Sequence, residues 1–195
     1  MSNGKKLEMR LAGSGGQGLV LAGIILAEAA ILYDNKNAVN TQSYGPEARG
    51  GASKSEVIIS EDDIDFPKCE EIDILLSLNQ KSLDKYIVDL KKGGILILDR
   101  DLCPNPPEGN EYETFRIAFT NLARTELGKV YVANIVALGA IAGLTDCVSR
   151  AALEKAVAAR VPAGTEELNV KALAIGYREA AVARVDHPVD TDALA

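Results

Sequence analysis

The stretch Gly13-Ser14-Gly15-Gly16-Gln17-Gly18 lies between an apolar strand candidate, Leu7 to Ala12, and a long apolar run from Leu19 to Leu32. A strand that feeds a helix through glycines can bend sharply. The missing side chains also let an anion approach the free N–H groups that open the helix. The spacing of Gly13, Gly15 and Gly18 is the G-x-G-x-x-G pattern of dinucleotide sites. The same spacing describes a tight turn whose glycines only allow a helix to pack closely on its sheet. Taken alone, the pattern leaves both readings open.

A nicotinamide site makes a further demand. Its second strand should end on Asp or Glu, about 20 residues beyond the glycines, to accept the ribose hydroxyls. The second strand candidate here is Asn37-Ala38-Val39-Asn40-Thr41-Gln42, and it ends without an acid. Asp34 precedes it, Glu47 follows in a loop, and no basic residue stands at its end for a 2′-phosphate. An NAD site is therefore not expected. A site for another phosphate-bearing ligand is compatible with the turn.

A chain of 195 residues suits one well-buried α/β domain and is short for two. The net charge of −7 argues against nucleic acid or an anionic membrane as partner, since both call for a basic face. Cys69, Cys103 and Cys147 lie far apart and form no C-x-x-C pair. Neither an iron–sulfur cluster nor a structural zinc site can be built from them. Free thiols fit a reducing cytoplasm. The apolar run after Lys5, Lys6 and Arg10 superficially resembles a signal peptide. However, the glycine turn separates its basic and apolar parts, Glu28 interrupts it, and its 14 residues are too few to span a membrane. It reads as a buried core helix.

Taken in order, Leu7–Ala12 is strand 1 and Gln17 to about Tyr33 is helix 1, in which Gly23 marks close contact with the sheet or another subunit. The second strand leads into a polar, glycine-rich loop, Ser43-Tyr44-Gly45-Pro46-Glu47-Ala48-Arg49-Gly50-Gly51. Strand 3 is Ser53–Ser60, and Glu61-Asp62-Asp63 is a solvated turn. Ile72 to Leu78 is continuously apolar, as in a parallel sheet covered on both faces. Asn79 caps a helix to about Lys92, Gly93-Gly94 ends it, and Ile95–Leu98 and Tyr112–Ala118 are the last strands. The remainder is helical: Thr120–Leu127, Val130–Leu144, Ser149–Arg160 and Thr165–Val185. The expected fold is a single-domain, Rossmann-like α/β sheet, mostly parallel, with helices on both faces and a helical C-terminal part. The domain spans residues 1–185, and the acidic tail 186–195 is expected to be disordered. Helix 1 and the 130–144 helix are so apolar that part of each should meet the core or a partner.

Catalytic constellations are missing. The single histidine, His187, sits in the tail, so Ser or Cys nucleophiles have no base. Ser14 lacks the G-x-S-x-G elbow, no Gly-Lys-Ser/Thr follows the glycines, and no metal-ligand spacing occurs. No residue is assigned a catalytic or metal-binding role. The chain reads as one that binds and assembles.

Three separated motifs resemble a known family. They are Gly13 to Gly18, then Ser43 to Gly51, then Ile135-Val136-Ala137-Leu138-Gly139-Ala140, with Asn169 to Tyr177 matching the C-terminal pattern. Together they resemble the gamma subunit of 2-oxoacid:ferredoxin oxidoreductases, most closely the 2-oxoglutarate or broad 2-oxoacid type, over roughly residues 7–180. The resemblance implies a complex that oxidatively decarboxylates a 2-oxoacid with coenzyme A and reduces ferredoxin. Thiamine diphosphate, Mg and the iron–sulfur clusters would belong to other subunits. Partners would be the alpha and beta subunits, with delta a further candidate, and ferredoxin through the complex. This chain would dock and cover the active site, be inactive alone, and help place coenzyme A. Its candidate binding residues are Gly13, Ser14, Gly15, Gly16, Gln17, Gly18, Tyr44, Arg49, Gly50 and Gly51. Tyr44 would stack, Arg49 would pair with phosphate or carboxylate, and Gly50-Gly51 would admit a close ligand. A bridge from Glu47 and Arg49 to a partner subunit is the competing use. Two alternatives stay open, namely a stand-alone nucleotide-binding or regulatory module and the equivalent domain of an indolepyruvate oxidoreductase.

Overall fold

A computed structural model describes residues 6–43 and 52–186 of the chain. Tyr44, Arg49, Gly50 and Gly51, together with the tail from His187, lie outside the described residues. Six strands form one sheet: β1 (Lys6–Ser14), β2 (Asn37–Ser43), β3 (Ala52–Ser60), β4 (Ile72–Ser77), β5 (Leu90–Asp99) and β6 (Glu113–Ile117). Their order is β2-β3-β1-β4-β5-β6. The pairs β1–β4, β4–β5 and β5–β6 are parallel, whereas β3 runs antiparallel between β1 and β2. The sheet is thus mostly parallel, as expected. The intervening β3 removes β2 from the side of β1, where a dinucleotide fold would place its ribose-binding strand.

The helices are α1 (Leu19–Glu28), α2 (Gln80–Tyr86), α3 (Phe119–Leu127), α4 (Ala133–Thr145), α5 (Arg150–Arg160) and α6 (Glu166–Asp186). Strand residues alternate between two apolar layers. Met9, Leu11, Ile74, Leu76, Ile95 and Ile97 face the core shared with α1, α3, α4, α5 and α6. Leu75, Leu96 and Leu98 face α2, where Leu83, Tyr86 and Cys103 complete a smaller core. Burial on both faces explains why β4 and β5 lack a polar alternation. The one-sided distribution, five helices against one, differs from a balanced sandwich but keeps helices on both faces.

α4 is buried along nearly its whole length. Its apolar character is therefore satisfied by the core. The α4–α6 crossing depends on glycine: a Cβ on Gly139 would meet the Leu173 carbonyl, and one on Gly176 would meet the Val136 carbonyl and come within 2.7 Å of the Ala140 nitrogen. Backbone touches backbone here. Likewise Gly23 of α1 sits against Ser55 of β3 and Asn40 of β2, so the neighbour it needs is the sheet.

One expected boundary is corrected. Asn79 does cap α2, its side chain accepting a bond from the Ser82 N–H at 2.8 Å, but the helix does not reach Lys92. It ends at Tyr86, passes through a single 3₁₀ turn (Ile87–Asp89) and becomes β5 at Leu90. Leu90 pairs with Ile72, Lys91 forms an ion pair with Asp73, and the Gly93 N–H bonds the Glu111 carbonyl at 2.9 Å. Gly93 adopts a positive φ of 75°, and together these contacts admit the glycines into the strand instead of ending a helix. α1 also ends differently, in a π-helical turn, Ala29–Tyr33, closed by bonds from the Asp34 and Lys36 N–H groups to Ala29 and Ala30. The 130–144 segment opens with a 3₁₀ turn, Val130–Val132, before α4.

On the α2 face, Arg10 of β1 is 5% exposed and bonds Glu56 of β3 at 2.9 and 2.6 Å, pairs with Asp89, and lies over the Tyr86 ring. Burial pushes the Glu56 carboxyl up, but bonds from Lys54 and Arg10 outweigh it and hold it below its ordinary 4.5. A carboxyl depressed by folding contributes stability above its unfolded value and loses it as pH falls through the folded one. Urea midpoints should therefore drop steeply on acidification below pH 4.5. Glu56→Gln should be less stable at neutral pH and show a shallower acid slope; parallel slopes for the two proteins would contradict this assignment.

Candidate functional site

The glycine turn leaves the C-terminal end of β1, at the point where the chain order reverses. From β1 it proceeds to β2 and β3 on one side, and β4, β5 and β6 occupy the other. Open α/β sheets gather ligands in this crevice. β2 runs in the same direction as β1, since both are antiparallel to β3, and Ser14 and Ser43 pair with Ala52 and Lys54 at one end of the sheet. The root of the 43–51 loop is thereby at the same end as the glycine turn.

The six residues of the turn divide into three roles. Gly13 and Gly18 serve packing, because a Cβ at Gly13 would come within 2.5 Å of the Gln17 side chain and one at Gly18 within 2.5 Å of Asn134. Asn134, buried at the start of α4, donates to the Gly18 carbonyl at 3.0 Å. Ser14 and Gln17 tie the turn down. The Gln17 side-chain oxygen accepts the Ser14 N–H at 2.6 Å and its side-chain amide N–H donates to the Leu78 backbone carbonyl at 3.2 Å. Asn79 donates to the Ser14 hydroxyl at 2.7 Å. Gly15 and Gly16 do neither. Both are exposed, and a Cβ on either would meet nothing within 4 Å. Gly16 has a φ of 93°, which explains a glycine there, but Gly15 has no positive φ and no crowding. Gly18, the N-cap of α1, supplies no side-chain acceptor to the helix opening.

Next to the turn lies a cavity of about 540 Å³, lined by Gly16, Gln17, Leu78, Leu102, Thr120 and the 128–133 segment. From that segment Lys129 brings a positive charge, while Val130 and Tyr131, 44% and 62% exposed, bring apolar surface. Asp99, fully buried at the end of β5, shapes this wall. It accepts bonds from the Thr120 N–H and hydroxyl at 2.9 and 2.7 Å and from the Asp101 and Leu102 N–H groups. None of Asn79, Asp99, Lys129, Tyr131 or Asn134 stands in a motif around the turn. Only Asn79 had a signal, as a helix cap. A second cavity of about 250 Å³ opens at the opposite sheet end, near Lys36, Glu61, Asp73 and Asp146. Of its charges, Lys36 bonds the Cys147 carbonyl, Asp73 pairs with Lys91 and Asp146 pairs with Arg184.

Among the described residues no three His, Cys, Asp or Glu side chains converge on a metal-sized space. Burial, with the charges of Glu56 and Glu8, pushes the Cys69 thiol up to about 12. Burial, with Asp99 nearby, does the same for Cys103, and burial raises Cys147. Such thiols stay protonated at neutral pH, and thiolate is the ligand and the nucleophile. At pH ~8 the native protein should resist iodoacetamide and the urea-unfolded protein should be labelled at all three cysteines. Rapid native labelling of the buried Cys103 or Cys147 would contradict the burial. Among the described residues no helix is long and apolar enough to cross a membrane.

Residues 8–179 match the model of the pyruvate ferredoxin/flavodoxin oxidoreductase family. The 2-oxoglutarate synthase subunit KorC of Methanocaldococcus jannaschii is 54% identical, over 89% of this chain and 93% of that one. The keto/oxoacid ferredoxin oxidoreductase gamma subunit of Geobacter sulfurreducens superposes with a TM-score of 0.82 at 53% identity, covering 91% of this chain and 99% of that one. The 2-oxoglutarate:ferredoxin oxidoreductase of Magnetococcus marinus, solved with 2-oxoglutarate, coenzyme A and succinyl-CoA bound, shares the fold alone. Its TM-score is 0.82 at 21% identity, over 91% of this chain and 31% of that one. The match over residues 8–179, with more than half the residues identical to the Methanocaldococcus and Geobacter chains over nearly their whole length, places the chain in one family: it belongs to the pyruvate ferredoxin/flavodoxin oxidoreductases, as a gamma-type chain.

Proposed function

We propose that the chain is the gamma subunit of a 2-oxoglutarate:ferredoxin oxidoreductase and that its glycine turn receives a phosphate of coenzyme A. The enzyme class follows from the family. The choice of 2-oxoglutarate rests on the 54% identity to a 2-oxoglutarate synthase subunit.

The observation that carries the coenzyme A assignment is Gly15. Packing and backbone conformation account for the glycines at 13, 16 and 18, whereas Gly15 has open space around it and an ordinary φ. Gly15 precedes Gly16, which lines the cavity, and an absent side chain in the turn that leads to the uncapped opening of α1 suits a close-lying anion. Lys129 adds charge across that cavity, and Leu78, Leu102, Val130 and Tyr131 suit an apolar chain attached to the phosphate. Tyr44, Arg49, Gly50 and Gly51 remain proposed contacts on the loop rooted at the same sheet end. The chain's own residues bind and orient; they offer no base, nucleophile or cluster ligand among those described. Thiamine diphosphate and iron–sulfur clusters held by other subunits would supply the decarboxylation and electron-transfer chemistry. Alpha and beta subunits, with ferredoxin as electron acceptor, are the proposed partners, and the cytoplasm is the proposed compartment.

The reading is tested by affinity capture of a tagged chain from its native cell. It should bring down large partner subunits and 2-oxoglutarate-dependent, coenzyme A-dependent reduction of a viologen dye. The isolated chain should be colourless and inactive. A solitary chain that carries iron or oxidises 2-oxoacids by itself would overturn it.

A further inference from the structure

Among the described residues that line the cavity beside the glycine turn, Lys129 is the one with a charged side chain. In a chain of net charge −7, a lining with a lysine and no acid departs from the average surface. The backbone of Lys129 is fixed. Gly128 closes α3 at a φ of 67°, and the Gly128 and Lys129 N–H groups bond the Arg124 and Ala123 carbonyls, each at 3.1 Å. Its ammonium, by contrast, is unspent: the residue is exposed, and its side chain makes no hydrogen bond or ion pair among the described residues. Asp99, behind the same wall, gives its carboxylate to the Thr120, Asp101 and Leu102 donors and does not pair with Lys129.

The cavity therefore has two anion-holding points of different kinds. Backbone N–H groups of the turn that opens α1 lie on its Gly16–Gln17 side, and an ammonium lies on its 128–133 side. A volume of about 540 Å³ is in the range of an organic ligand, not of a single ion. Beyond Lys129 the lining turns apolar, with Val130 and Tyr131. A ligand that satisfies all three features carries two phosphates in series and an apolar arm. Coenzyme A does so through its diphosphate and its pantetheine, whereas phosphopantetheine carries the same arm on one phosphate. We propose that Lys129 takes the second phosphate of this diphosphate, and that it is the residue by which the subunit selects coenzyme A over thiols with a single phosphate. The inference rests on the coenzyme A reading above.

Thiol acceptors compared on the reconstituted complex test it. With the wild-type chain, phosphopantetheine should be required at about tenfold or more the concentration of coenzyme A. Lys129→Gln should raise the coenzyme A requirement by about tenfold and leave the phosphopantetheine requirement unchanged, because that thiol lacks the phosphate this lysine holds. Lys129→Arg keeps the charge and should stay within about threefold of the wild type. Dephospho-coenzyme A retains the diphosphate, so the Gln variant should carry the same penalty with it. A penalty that disappears with dephospho-coenzyme A would assign Lys129 to the ribose phosphate and overturn the proposal, as would an unchanged coenzyme A requirement. Gly15→Asp separates the two readings. If it weakens coenzyme A use while Lys129→Gln does not, the diphosphate assignment is wrong and the glycine-turn reading stands. If Gly15→Asp leaves coenzyme A dependence untouched, the glycine-turn reading falls and takes the inference with it.

Discussion

Gly176→Val is expected to lower the melting temperature more than any single surface change. The Cβ alone would meet the Val136 carbonyl and lie 2.7 Å from the Ala140 nitrogen and 2.8 Å from the Gly139 Cα. These are backbone atoms of α4, so no rotamer change relieves the clash and the two helices must separate. α4 is the most buried helix of the fold, and its neighbours Ile135, Leu138 and Ile141 lie in the main core. Overpacking typically costs 1–3 kcal/mol, and separating two backbones should reach about 3 kcal/mol or more, a large part of the roughly 5–15 kcal/mol that holds a domain. For a chain of this size that corresponds to a fall of about 6–12 °C. Gly128→Ala is the contrast. Gly128 has a φ of 67° but open space around its Cβ, so only backbone strain of about 1 kcal/mol applies. Thermal unfolding followed by circular dichroism distinguishes the two. Equal shifts for both variants would mean that α4 and α6 do not cross at Gly139 and Gly176.

What the sequence made legible was local. Asn79 announced the start of α2 through its capping side chain, and Gly13 to Gly18 announced the strand–helix turn. The unbroken apolar runs of β4 and β5 announced a sheet covered twice. What it concealed depends on residues far apart in the chain. Lys91 to Gly94 look like the end of a helix, and they enter a strand because Leu90 meets Ile72 and Gly93 meets Glu111. Nothing local shows that β3 inserts between β1 and β2, since that order is decided by pairing across the sheet. At the site, the G-x-G-x-x-G pattern treated its glycines alike. Only the placement of Gln17 and Asn134 separates the packing glycines from the two open ones. The wall from Gly128 to Ala133 carries no motif, and reaches the turn only because α3 and α4 fold over the same sheet end.

Gly15→Asp is the second large effect and the sharpest probe of the turn. Gly16→Asp would confound binding with strain, because Gly16 has a φ of 93°. At Gly15 an aspartate has room and an ordinary backbone, so folding and assembly should be preserved. Its carboxylate would stand where a phosphate is proposed to lie. Loss of a charged hydrogen-bonding contact of this kind is worth about 1.5–3 kcal/mol, or roughly a 10- to 150-fold weaker coenzyme A interaction. The measurement is made on the complex reconstituted with this variant, comparing the coenzyme A and 2-oxoglutarate dependences of electron transfer to ferredoxin. The account predicts a coenzyme A requirement raised about tenfold or more, with the 2-oxoglutarate requirement unchanged. An assembled complex in which both dependences match the wild type would contradict it, and would leave the glycine turn as architecture alone.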